Sequence, residues 1–217
     1  MHKYYAPGVI KLLGEHAVVY GKFSLAAAIS LYASASFEKL RNGYFELCLK
    51  DFGKSIKVDP SYFEALAKEY KGKHSFDEYY IGKNAKALPY LTIASLLAQK
   101  NSLAGIKLSI SSEIPVQKGY ASSAACSTVF ALAICEALGV QMNEHELVEL
   151  AREGDKVIHK NEGAGKIDVN TSFYGGIVSY SSEMGAKKED VDVELKLYVI
   201  DTGPKKSTAE TVAHIRQ

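Results

Sequence analysis

The amino-acid sequence predicts an α+β fold, on three observations. The opening of the chain reads as strands and a hairpin, later stretches carry helical spacing, and between Ile106 and Leu138 a strand, a glycine-containing loop and a buried helix follow one another.

The strand signal begins with Val9 to Leu13 and continues in the small-residue run Leu25 to Phe37, "LAAAISLYASASF", which packs and includes a further strand. Tyr44 to Leu49 and Ser55 to Val58 flank Gly53 and predict a hairpin. Tyr62 to Tyr70 and Pro89 to Lys100 have helical spacing, and proline opens the second because its missing donor has no partner in a first turn. Ile106 to Ile110 alternates as a half-buried strand, and Ser123 to Leu138 predicts a buried helix closed by Gly139. Asn143 with Glu146 three residues on predicts a reciprocal cap for the helix through "EHELVELAREGDKVIHK". Gly175 to Tyr180 and Leu195 to Ile200 read as strands, and the polar segment Ser181 to Asp190 between them is the expected domain boundary.

Composition excludes several classes. The 217 residues are 47% hydrophobic and 24% charged with a formal net charge of +1, an ordinary globular balance. Such a balance gives no electrostatic reason for a nucleic-acid or anionic membrane partner, so any anion must be held locally. Cys48, Cys126 and Cys135 are odd in number and lack CxxC spacing, which argues against a disulfide framework or zinc site and fits a reducing compartment. The opening "MHKYYAPGVIKLL" is broken by Lys3, Pro7, Gly8 and Lys11 and makes a poor secretory signal. The apolar run Ala124 to Ile134 falls short of the roughly 20 residues of a membrane span. The expected location is the cytoplasm.

Chemistry concentrates in "IPVQKGYASSAACS", Ile114 to Ser127. Lys118, Gly119, Tyr120, Ala121, Ser122 and Ser123 lie between a strand and a helix, where free backbone amides and the positive end of the helix dipole hold an anion. Phosphate is the natural guest, and the two serine hydroxyls could orient it or ligate magnesium. On the residues alone, an ordinary serine-capped helix start reads equally well. No GxxxxGK[ST] string or dinucleotide fingerprint is present, so a nucleotide would need a different cradle. Near the N-terminus "GEHAVVYGK", Gly14 to Lys22, sets Glu15 and His16 at a strand end, where a turn role alone is the commoner reading.

Taken together, these stretches resemble the GHMP kinases. Pro115, Gly119, Ser122, Ser123 and Ala124 match that family's phosphate motif P-x-x-x-G-x-x-S-S-A, with Ala121 replacing a common second glycine and Tyr120 a usual aliphatic. Within the family "GEHAVVYGK" is closer to the mevalonate kinases than to the galactokinases, which implies that Glu15 and His16 contact substrate. "AREGDKVIHKNEGAGKIDVNTSFYGG", Ala151 to Gly176, resembles the family's acid-bearing helix, loop and Gly-Gly strand start. Asp155 and Asp168 match its two acids, one for the metal and one for the hydroxyl, with Glu153 the metal ligand if the helix register differs. The loop before Asp168 is about two residues longer than the family form, with Lys166 where glycine is expected. Without the resemblance, Asp168 reads as a cap and Asp155 as part of a solvated helix face. "YVIDTGPKKSTAETVAHIR" resembles the start of the second domain, placing Lys206, Ser207 and Thr208 near the substrate carboxylate. Read alone, it is a capped helix start.

Two departures stand out. Mevalonate kinases carry a lysine directly after Ala-Pro-Gly, where this chain has Val9; Lys11 lies two residues on, the same strand face, and could deliver the ammonium or simply be solvated there. The family's third, glycine-rich motif does not occur before Gln217.

The resemblance therefore implies an N-terminal portion. Residues 1–183 would form the ATP-binding domain, a mixed sheet with helices and a left-handed βαβ unit, and 184–217 the start of a ferredoxin-like second domain. Apolar surface meant for the missing part could pair two copies as a homodimer. The implied reaction is ATP-dependent phosphorylation of mevalonate, with phosphomevalonate or a related small alcohol, or an inactive truncated binding domain, as the alternatives. The Lys118 to Ala124 loop would hold the ATP phosphates, Ser123 and Asp155 the Mg²⁺, Asp168 the substrate hydroxyl, and Lys11 the developing charge.

Overall fold

The computed structural model describes residues 2–73, 86–159, 166–191, 196 and 198–200. Its seven strands form one mixed sheet: β1 (Lys3–Leu13), β2 (Ser24–Lys39), β3 (Phe45–Leu49), β4 (Lys54–Val58), β5 (Ile106–Ser112), β6 (Ile177–Ser181) and β7 (Gly185–Glu189). Five described α-helices accompany it: α1 (Ser61–Lys73), α2 (Leu88–Ala98), α3 (Ser122–Leu138), α4 (Glu144–His159) and α5 (Lys166–Tyr174).

The small-residue run forms β2, a 16-residue strand that organises the sheet. Along one edge it pairs antiparallel with β1; along the other, residues 24–27 pair with β6 and residues 33–39 with β5. Between those two blocks the ladder opens, and the β1 register also slips, between Pro7 and Gly8. Among the described residues β1 pairs with β2 alone, and the open edge tolerates Pro7, a residue without a donor. The helix following β5 and the helix preceding β6 flank this opening.

The expected hairpin is present as β3 and β4, with Gly53 at φ 57 in the turn. β3 and β5 are parallel, whereas the other pairings among the described strands are antiparallel. The core lies between the sheet and the helices. There α3 is buried at Ala124, Ala125, Val129, Phe130, Ala131, Ala133 and Ile134, while Phe45, Leu47 and Leu108 reach it from the strands. The alanines let α3 lie close to the sheet. The reciprocal cap of α4 forms as expected: Asn143 N donates to Glu146 Oε2 at 2.8 Å and Glu146 N to Asn143 Oδ1 at 3.0 Å.

Three expectations need correction. β1 begins at Lys3 rather than Val9, because its first residues find partners on the far end of β2. The polar segment 181–190 contributes β7, which pairs with β6, so the sheet runs on to Glu189, past residue 183. The strand expected at Leu195 to Ile200 does not form at its described residues: Lys196 and 198–200 have no sheet partner, and Tyr198 is 94% exposed. No described helix is long and apolar enough to cross a membrane.

Candidate active site

The serine loop reaches the helix through a left-handed backbone. Gln117, Gly119 and Ala121 have φ of 61°, 83° and 51°, so the amides change direction repeatedly before α3 begins. Alternation of this kind turns successive N–H groups toward one side, as in an anion nest. Ala121 occupies the N-cap of α3 and supplies no side-chain cap, which leaves the first-turn amides and the positive helix end open to a guest. Residues 115–119 are exposed, including Pro115 and Lys118, and a Cβ at Gly119 would meet nothing within 4 Å. Tyr120, Ser122 and Ser123 are half-buried and Ala124 is buried.

β1 fixes this loop from beneath. Val9 N donates to the Tyr120 carbonyl at 3.0 Å, and a Cβ at Gly8 would stand 3.1 Å from that same oxygen. Gly8 thus lets strand and loop touch through their backbones. Ser172 Oγ donates to the Pro7 carbonyl at 2.9 Å, which ties α5 to the same point of β1.

From this junction a chain of polar side chains runs across the opening in the sheet. Ser123 Oγ lies 3.3 Å from His159 Nε2, and that nitrogen lies 3.6 Å from Asp155 Oδ1. Lys11 Nζ meets Asp168 Oδ2 at 3.1 Å, and both side chains keep about a fifth of their surface exposed, 23% and 20%. Burial works to lower the pKa of Lys11, but Asp168, then Glu15 and Asp155, outweigh it, and the ammonium stays charged to above its ordinary value. Asp155 is 1% exposed. Burial pushes its carboxyl above the ordinary carboxylate value, neighbouring His159, Ser123 and Lys11 pull it back, and Asp168 adds to the rise.

Asp155 Oδ1 and Asp168 Oδ1 are both buried without a hydrogen-bond partner. Such oxygens are costly unless something meets them. Among the described residues no group of three His, Cys, Asp or Glu side chains gathers into a metal cage. Magnesium needs none, since it takes one or two carboxylates plus a substrate's phosphates. The hard oxygen donors Ser123 and Asp155 fit that ion, with the amides of the loop beside them for the phosphates.

Residues 87–176 match the family model "GHMP kinases N terminal domain". Over that region the chain has the GHMP kinase N-terminal fold. It is 36% identical over 217 residues to the mevalonate kinase of Thermococcus onnurineus, and the match takes in 98% of this chain. The chain spans about 60% of the length of the curated relatives it matches. Among solved structures, the Methanococcus jannaschii mevalonate kinase is similar at TM-score 0.74 and 22% identity, covering 100% of this chain and 66% of that one. The Lactococcus lactis galactokinase complexed with galactose is similar at TM-score 0.76 and 22% identity, covering 99% and 55%.

The GHMP fold thus brings Lys11, Glu15, Ser123, Asp155 and Asp168 into one electrostatic neighbourhood beside the loop. Glu15 is exposed and His16 half-buried, in the turn after β1 that Gly14 permits at φ 72. Glu153 engages Lys156 at 2.5 Å, which leaves Asp155 as the inward acid of α4. Lys206, Ser207 and Thr208 lie outside the described residues.

Two contributors escaped the sequence reading. His159 was legible only as the residue one turn after Asp155, a spacing that places both on one helix face. Gly154 carries a packing signal that sequence does not display: a Cβ there would lie 2.8 Å from Ile93 Cδ1, 3.0 Å from the Pro89 carbonyl and 3.1 Å from Ser127 Oγ. Its absence lets α4 press against α2 and α3 and carries Asp155 into the interior.

Proposed function

We propose that this chain forms the ATP- and substrate-binding part of an enzyme that transfers the γ-phosphoryl group of ATP to the primary hydroxyl of mevalonate, giving 5-phosphomevalonate. The observation that carries the proposal is the Lys11–Asp168 contact at 3.1 Å, set beside the buried Asp155 and the open N-terminus of α3. Phosphoryl transfer asks a protein mainly for positioning and charge neutralisation, and this arrangement supplies both. The loop amides from Lys118 to Ala124 hold the phosphates. Asp168 orients the hydroxyl and accepts its proton, while Lys11 fixes the carboxylate and steadies negative charge on the transferring group. Ser123 and Asp155 would hold Mg²⁺, which would supply charge neutralisation at the phosphates. Glu15 and His16, at the end of β1, face the substrate.

Mevalonate is favoured over other alcohols by sequence rather than by shape. The relatives at 33% to 36% identity are named mevalonate kinases, whereas the fold is about equally similar to a galactokinase. A cytoplasmic setting accords with the three free thiols, Cys48, Cys126 and Cys135.

The test is Asp168→Asn. The expected result is a fall in kcat of about a hundredfold or more with ATP affinity unchanged, since the loop is untouched. Unchanged turnover would remove Asp168 from the reaction. A coupled ADP-release assay across mevalonate, phosphomevalonate and galactose tests the substrate; indifference to mevalonate would end this version of the proposal. A second reading is that the chain binds both ligands without turning over. Calorimetry with Mg-ATP and with mevalonate beside the activity assay separates the two.

A further inference from the structure

We infer that His159 is a positioning residue: its Nε2 accepts a hydrogen bond from the Ser123 hydroxyl and so turns the serine oxygen's lone pairs toward a magnesium ion shared with Asp155. The inference rests on the metal role proposed above for Ser123 and Asp155.

Three placements carry it. His159 closes the last turn of α4, four residues after Asp155, so both side chains project from one helix face. Its Nε2 stands 3.3 Å from Ser123 Oγ and 3.6 Å from Asp155 Oδ1, between the two donors rather than beside one. Asp155 Oδ1 is buried with no hydrogen-bond partner, so the imidazole does not satisfy that oxygen and leaves it available to a cation.

The chemistry follows from what a hydroxyl needs in order to ligate. A neutral serine oxygen that gives a lone pair to a cation must direct its hydrogen elsewhere. Without the ion, the Ser123 hydroxyl stands beside both the Asp155 carboxylate and His159 Nε2, the latter at 3.3 Å. Once the carboxylate oxygens turn to the cation, that acceptor is engaged, and the nearest remaining one is His159 Nε2. This requires the neutral imidazole with its hydrogen on Nδ1. A lysine or arginine at 159 could not accept and would set a fixed positive charge against the cation. The side chain is a third exposed, so its far nitrogen reaches water without breaking a core contact.

The experiment is calorimetric titration of ATP with and without Mg²⁺ for the unmodified protein, His159→Leu and His159→Gln, with Ser123→Ala and Asp155→Asn as references. Glutamine keeps an acceptor near the Nε2 position; leucine keeps bulk alone. The gain in ATP affinity on adding Mg²⁺ should shrink about tenfold or more in His159→Leu, the loss expected when a metal ligand's outer partner is removed. In His159→Gln it should stay within about threefold of the unmodified protein, and ATP affinity without Mg²⁺ should be unchanged in both. A full magnesium gain in His159→Leu, or equal loss in both variants, overturns the inference. If Ser123→Ala and Asp155→Asn also keep the full gain, the metal reading itself has failed and this inference with it. Thermal melts check the fold, and His159→Ala repeats the comparison should the leucine variant melt early.

Discussion

Asp155 and Asp168 act on each other electrostatically, yet the molecule holds them differently. α4 carries Asp155 into the core, 1% exposed, with His159, Ser123 and, more weakly, Lys11 to offset its burial. The first turn of α5 leaves Asp168 a fifth exposed and sets it against an ammonium at 3.1 Å. The first is a carboxylate whose charged form burial disfavours; the second is already paired with an ammonium.

That difference can be broken most forcefully at Asp155. Asp155→Asn should lower kcat about a hundredfold or more, because the charge that holds the cation is gone. The same change should stabilise the ligand-free protein. Burial raises the Asp155 pKa, so its contribution favours folding below the ordinary carboxylate range and is lost as pH rises through the raised value. Lys11, whose pKa is also raised, contributes stability that persists up to its ordinary value and fades only above it, so it does not blur this window. The melting temperature of Asp155→Asn should therefore exceed that of the unmodified protein by an amount that grows from about pH 4 to pH 7, with about 2–4 °C for each 1 kcal/mol. A constant gap across that range would refute the burial account.

A smaller effect sharpens the same contrast. Gly154→Ala gains about 1 kcal/mol of helix propensity but forces a methyl against Ile93, the Pro89 backbone and Ser127. Overpacking of this kind costs roughly 1–3 kcal/mol and the Pro89 carbonyl has no rotamer to yield, so a net loss of about 1 kcal/mol in urea unfolding is expected. Because α4 must shift outward, the magnesium-dependent gain in ATP affinity should fall as well, while Asp168 and its lysine stay in place. Equal stability would mean that the glycine does not set the depth of Asp155.

The two regions were not equally legible in the sequence. The serine loop was, since left-handed glycine positions, small residues and a helix start write a backbone site into residue types at fixed spacing. Even there Ala121 at φ 51 appears only in the structure, because alanine gives no sign of that conformation. The acids were legible as residues but not as partners. Lys11 was readable from strand parity once Val9 filled the usual lysine position. Its contact with Asp168 joins residues 157 positions apart and depends on how α5 docks on β1 through Ser172 and Pro7. Gly154 and His159 act through packing and facing, which no local pattern records. The hairpin and the capped α4 were legible because their determinants are local; β7 was not, since "GAKKE" becomes a strand only against β6.

The most direct test of the central claim, that Lys11 and Asp168 form one working unit in the phosphate cleft, is a double-mutant cycle on kcat with Lys11→Met, Asp168→Asn and the pair together. Residues that act as a unit are not additive, so the double variant should be about as slow as the worse single variant, within roughly threefold. Losses that simply multiply would mean that the two side chains touch but work apart, and would contradict the account.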